Sequence, residues 1–208
     1  MPRLMDMGLE RLNGLLLEMA TISENAVTSA IEAYEKGGKG AKVREWAEHL
    51  QSLHRQVSDL SMEVIARYQP VASDLRLVKA CFEISYGFFR YGRYAKDIIE
   101  VLEMFGDLSK CDRTVVAETA RRTQEMIRMS IDAFARRDVA LARKVPKMDD
   151  FVDDRYRKHL RGVMQGKGDL KCALSAVLIL RYLERISDHA TYIAESVDYI
   201  VTGVEPAG

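Results

Sequence analysis

Glu184 and Asp188 stand four residues apart in the stretch 181–200, a spacing that puts two carboxylates one turn apart on the same face of a helix. Asp149 and Asp153 repeat that spacing upstream. Carboxylates paired in this way on two adjacent antiparallel helices can converge on one hard or borderline cation, which requires oxygen ligands, or bridge two. The same spacing also occurs on solvated helix faces, where Arg181 or Arg185 would pair with the acids for roughly a few tenths of a kcal/mol. Spacing alone leaves both readings open. His189 follows directly on Asp188, and the ordinary role of a histidine beside a buried seam is structural.

The element that must hold Glu184 and Asp188 is written twice over. Leu180, Leu183, Ser187, Ala190, Ala194 and Val197 recur at steps of three and four, as a helix buried along one side requires. Beside them Arg181, Glu184, Asp188, Thr191 and Glu195 make a polar stripe at the same steps. The rest of the chain follows the same plan. Its four prolines and thirteen glycines cluster between long periodic segments, and no strand alternation competes, so the fold class is all-α.

Helices are predicted from Leu4 to Lys36, from Lys39 to Tyr68 and from Val71 to Phe105. Gly37-Gly38 ends the first, and Pro70 ends the second because its ring disfavours helix in the residue before it. A second set runs from Arg113 to Arg137, from Asp138 to Met164 and from Asp169 to Val201. Pro146 removes an N–H and crowds the carbonyl of Ala142, so it should kink the fifth helix or split it. Aligning residue 74 with residue 169, an offset of 95, brings seven identical residues into register in 27 pairs: Asp74, Leu75, Ile84, Arg90, Ala95, Ile98 and Glu100 meet their like. Unrelated helices would not normally agree so often, and an internal duplication follows. Six long helices therefore form two tandem three-helix bundles, residues 1–108 and 109–208, packed side by side. The aromatic stretch Phe82, Tyr86, Phe88, Phe89, Tyr91 and Tyr94 suits packing between them better than a partner surface. Gly87 and Gly92 within it suit close helix crossings.

Composition excludes several function classes. The 31 basic and 31 acidic residues cancel, which removes the positive field of a nucleic-acid binder and any general attraction to an acidic membrane. Arg121-Arg122, Arg136-Arg137 and Arg155 to Lys158 read as solvated helix faces. Cys81, Cys111 and Cys172 are an odd, widely spaced set without a C-x-x-C, unlike a zinc site or a disulfide framework, which suggests a reducing cytosol. No apolar run is long enough to span a bilayer. A glycine-rich phosphate loop, an activated nucleophile and an Glu-x-x-His pair are all missing, so an enzyme is not expected.

The chain resembles the PhoU family, the phosphate-uptake regulators that accompany Pst-type phosphate transporters. The residues that carry the resemblance are the turn from Tyr68 to Arg76, the segment Leu183 to Ala190 with Ile193-Ala194-Glu195, the stretch Ile131 to Phe134 with Asp138, and Met148 to Asp153. The resemblance implies two three-helix bundles and a multinuclear metal cluster, of iron, zinc or another metal, on an E-x-x-x-D motif. Here Glu184 and Asp188 match that motif, whereas the 95-residue offset puts Phe89 and Arg93 at the matching places of the first repeat, and His54 and Ser58 opposite Asp149 and Asp153. The first repeat should hold no cluster. The resemblance further implies a cytoplasmic adaptor, reaching the membrane only through a transporter, that binds the transporter's ATPase subunit or a sensor kinase and damps phosphate uptake and phosphate-dependent signalling. Pro70, Asp74 and Arg76 are the expected partner contacts, and a homodimer is plausible for the exposed seams. The alternatives are a companion of a simpler inorganic phosphate permease and a carboxylate-bound metal storage or redox bundle.

Overall fold

The structure is a computed structural model describing residues 4–166 and 168–204. Its long helices are α1 (Leu4–Lys36), α2 (Ala41–Tyr68), α3 (Ala72–Phe105), α4 (Thr114–Arg136), α6 (Asp149–Met164) and α7 (Leu170–Thr202). A single turn, α5 (Val139–Ala142), and a 3-10 turn (Pro146–Met148) precede α6. The described residues contain no strand.

Local chemistry sets most boundaries. Asp138 and Asp169 accept hydrogen bonds from the backbone N–H groups of Leu141 and Cys172, satisfying donors that the first turns of α5 and α7 leave open. Gly40, ahead of α2, has φ 52° and lies so close to Ile99 that a Cβ would come within 2.3 Å of its Cδ1, so both backbone and packing call for glycine. Pro146 divides the fifth predicted helix outright. The consequence is that Asp149 and Asp150 occupy the first turn of α6, where the helix dipole favours acids.

Helices α1, α2 and α3 pack together, α4, α6 and α7 pack together, and α3 lies along α7 to join the two groups, with α1 touching α4. The seam of α7 is buried throughout: Leu180, Leu183, Ser187 and Ala190 are at 0% exposure and Ala194 at 1%. Three of the duplicated identities, Ile84, Ala95, Ile98 and their mates Ile179, Ala190 and Ile193, are core positions.

Contacts across the join come in related pairs. A Cβ on Gly87 would meet Ile193 at 2.8 Å and the His189 carbonyl oxygen at 3.7 Å, so this crossing requires glycine. The mates of residues 87 and 189 are 182 and 94, and Tyr182 stacks on Tyr94 with centroids 6.1 Å apart. Tyr94 and His189, each other's mates, stack at 6.0 Å and so lie on the approximate twofold axis. Gly92 serves the other crossing, toward Leu50 and Ala47 of α2.

One expectation is overturned. Cys111 and Cys172 form a disulfide with Cα atoms 5.4 Å apart, and Cys81 is the buried free thiol. The pairing joins residues separated by 61 positions. It forms because the α3–α4 connection lies against the first turn of α7, where Lys171 also donates to the carbonyl of Asp107 at 2.8 Å.

Candidate metal centre

The split at Pro146 and the packing of α6 on α7 bring the two acid pairs together. One oxygen from each of Asp149, Asp153 and Asp188 lies within 4.8 Å of the others. Glu184, one turn from Asp188 on α7, adjoins this group but is drawn toward arginine. Its Oε1 accepts from Arg181 Nη1 at 2.6 Å, and its Oε2 is 3.7 Å from Arg185 Nε. Arg185 Nη1 donates to Asp188 at 3.3 Å, and Arg157 Nη2 donates to Asp153 at 2.7 Å. Both readings of the spacing are therefore present: the acids converge, and arginines hold one oxygen on each of three.

What the arginines leave is informative. Asp149 Oδ1 and Glu184 Oε2 are buried and have no hydrogen-bond partner, a state that costs more for a charged oxygen than the roughly 1–3 kcal/mol of a neutral one. Burial pushes the carboxyl groups of Asp149, Glu184 and Asp188 above the ordinary range. The charges of Asp188 and Asp153 add to the rise at Asp149, and that of Asp188 to the rise at Glu184, against the pull of Arg181 and Arg185. Convergent, half-buried oxygens short of positive charge are the donor set a hard or borderline cation takes. These residues fit the metal that the family resemblance implies. His189 does not join them. It is buried among Tyr86, Tyr94 and Tyr192, and burial, with Arg90 and Arg185 nearby, lowers its pKa to about 4.

The matching places in the first repeat have a different chemistry. His54 stacks on Phe89 with an interplanar angle of 9° and centroids 5.6 Å apart. Ser85 donates its hydroxyl proton to the carbonyl of Phe82, so the 2.9 Å contact from His54 Nδ1 to Ser85 Oγ has the imidazole as donor. Ser58 Oγ turns back to the carbonyl of His54 at 3.0 Å, and Arg93 Nε donates to Asp97 at 3.0 Å.

The expected partner contacts are divided. Pro70 is buried and Asp74 half-buried. Arg76 reaches across to the end of α7, where its Nε meets the carbonyl of Ile200 at 3.5 Å and its guanidinium covers Gly203. The exposed large apolar side chains of this turn are Val71 at 72% and Leu75 at 44%. Gln69 and Ala72, with φ of 48° and 49°, hold left-handed conformations that cost a side-chain-bearing residue of order 1 kcal/mol or more.

A duplicated all-helical bundle with a carboxylate cluster in one repeat defines the class. The PhoU domain family matches residues 16–102 and 116–197, and the chain belongs to the PhoU family. It is 32% identical over 205 residues to the phosphate-specific transport system accessory protein PhoU homolog of Pseudomonas putida, covering 95% of this chain and 80% of that one. The homolog of the same name from Zymomonas mobilis is also 32% identical, with 95% and 86% covered. The crystal structure of PhoU from Pseudomonas aeruginosa matches with a TM-score of 0.87 at 31% identity over 96% of this chain and 99% of that one. The Streptococcus pneumoniae regulatory protein PhoU, at 19% identity and a TM-score of 0.77, shares the fold. No described helix is long and apolar enough to cross a membrane.

Proposed function

We propose that this chain is an accessory regulator of a phosphate-specific transport system and acts by binding, not by catalysis. It occupies a surface on the transporter's ATPase subunit, or on a phosphate-responsive sensor kinase, and damps uptake and the signalling coupled to it from the cytoplasmic side. The observation that carries this reading is the extent of the likeness: relatives named as phosphate-specific transport accessory proteins align with 95% of the chain. The exposed Val71 and Leu75, on a turn held by two left-handed residues, are the partner contact in this reading, and buried Pro70 and Arg76 set the turn's shape.

We assign a metal to Asp149, Asp153 and Asp188, with Glu184 alongside. A bound cation supplies positive charge to carboxylates that three arginines compensate only in part. Arg157, Arg181 and Arg185 orient Asp153, Glu184 and Asp188 by holding one oxygen of each. Because the acids come from both α6 and α7, their neutralisation fixes the angle of α6, a long helix whose one fully buried side chain is Val152.

The test is affinity capture from cells grown in high and low phosphate. The baits are the wild type, Asp149→Asn/Asp188→Asn and Val71→Asp/Leu75→Asp. The wild type should retain a phosphate-transporter ATPase subunit or sensor kinase, and the turn variant should lose it. Loss with the carboxylate variant as well would tie partner binding to the metal. Capture of the chain alone at both phosphate levels, with stoichiometric iron and oxidation chemistry in the purified protein, would replace the adaptor reading by a metal storage or redox bundle.

A further inference from the structure

A cleft of about 490 Å3 lies between the start of α4 and the last turns of α6, within the roughly 300–1,000 Å3 of small-molecule sites. Val115 and Val163 give it apolar wall, and Arg155, Lys158, His159 and Arg161 line the remainder. Its two cations lie beyond the carboxylate cluster, Lys158 and Arg161 following Asp153 by five and eight residues, or about 7–12 Å of helix.

Its charge is one-sided. Arg155 is paired with Glu118 at 3.2 Å, whereas Lys158 and Arg161 have no ion pair among the described residues. His159 lines the cleft beside them, with its Nε2 buried and without a hydrogen-bond partner. In a protein of net charge zero this is a local excess. The carbonyls at the negative end of α6 oppose it weakly, because the N–H groups of Gln165 and Gly166 already occupy those of Arg161, Gly162 and Val163.

Gly162 points the same way independently. A Cβ there would meet nothing within 4 Å, and its φ is not positive. Neither packing nor backbone conformation requires the glycine, which weakens a helix interior relative to alanine. What it does is leave the cleft open between Arg161 and Val163. Inorganic phosphate would engage the cations and leave most of the volume and both valines unused. We propose that this cleft binds an organic phosphate of nucleotide size, its phosphates on Lys158 and Arg161 and its body against Val115 and Val163.

Isothermal titration of the full chain with ADP at low ionic strength tests this. EDTA keeps divalent ions from bridging the nucleotide to the acids on α6 and α7. ADP should bind saturably at one site, with adenosine and inorganic phosphate each at least about tenfold weaker. Lys158→Glu/Arg161→Glu should weaken ADP binding by about tenfold or more. Gly162→Leu should fill the cleft and abolish binding without lowering the melting temperature, which keeps the test clear of misfolding. No saturable ADP binding up to millimolar concentration would overturn the proposal. So would unchanged affinity in Gly162→Leu, or phosphate binding as tightly as ADP.

Discussion

Asp149 and His54 occupy the same place in the two repeats, as do Glu184 and Phe89, yet one pair helps to form a charged cluster and the other a stacked, hydrogen-bonded ring pair. The core around them is alike, because identities such as Ile84 with Ile179 and Ala95 with Ala190 are retained. Duplication therefore supplied two corresponding positions between neighbouring helices, separated by side-chain identity and by the break at Pro146, which puts Asp149 in the first turn of α6 while His54 lies inside α2. In the first repeat His54 Nδ1, Ser58 Oγ and Arg93 Nε each find a hydrogen-bond partner within the chain. In the second, oxygens on Asp149 and Glu184 are left without one. A closed position satisfies itself, whereas an open one keeps acceptors to spare for a cation. The disulfide follows the same division, since Cys172 has Leu77 as its mate and only the second repeat is stapled.

The largest expected effect is the response to metal. A cation at about one hundred times its dissociation constant stabilises the native state by about 2.7 kcal/mol, equivalent to roughly 5–10 °C in Tm for a chain of this size. Thermal melts with and without added iron or zinc should show that rise in the wild type. Asp149→Asn/Asp188→Asn should lose it, and Phe89→Leu, at the matching place in the first repeat, should keep it. A rise that survives in the carboxylate variant, or disappears in Phe89→Leu, would break the distinction between the repeats.

A smaller effect separates the two mates by pH. Burial raises the folded pKa of Asp149 above its unfolded value, so in metal-free protein the folded state holds the proton longer. Its contribution to stability is most favourable below pH 4 and is lost as pH rises through the folded value. Burial lowers the folded pKa of His54 below 6.5, and there the sign reverses: stability is present above 6.5 and lost as pH falls toward the folded value. His189, whose folded pKa is about 4, adds to the same loss between pH 6.5 and 4. In urea unfolding of metal-free protein, Asp149→Asn should gain stability relative to wild type between pH 5 and 7. His54→Asn should lose less than wild type on acidification from pH 7 to 5. Parallel pH profiles for the two variants would refute the opposed titration of these sites.

Much of this was legible in the sequence, because it is local. The seam and stripe of α7 are written in steps of three and four, and the predicted helix bounds fall within two residues of those observed at each long helix other than the divided fifth. Pro146 could be read as a break since its ring acts on its own turn. Contacts between distant segments were not legible. Nothing in the spacing of Cys111 and Cys172 announces that a connection folds back on the start of α7. Arg76, read as a surface residue, meets a carbonyl 124 positions away. At the candidate site the four acids look equivalent in sequence, and only rotamers and neighbours decide that Glu184 turns to Arg181 while Asp149, Asp153 and Asp188 converge. The basic run Arg155 to Lys158 is a solvated helix face in part, with Arg157 and Lys158 exposed, but a run does not reveal which of its members pair with acids.

The smallest effect sharpens the comparison most. Arg93 is the mate of Asp188, and it makes an exposed i,i+4 pair with Asp97 at 3.0 Å. Arg93→Ala should cost only about 0.5 kcal/mol, because an exposed pair gives up in side-chain entropy and screening most of what Coulomb attraction supplies. Melts in low and high salt should show that cost shrinking as salt rises. Asp188→Ala should behave in the opposite manner. In metal-free protein it relieves the repulsion on Glu184 and costs little or stabilises, yet it abolishes the metal-induced rise. If Arg93→Ala instead proved as damaging as loss of the metal response, the first repeat's matching position would have a role beyond packing, and the contrast between a closed and an open position would fail.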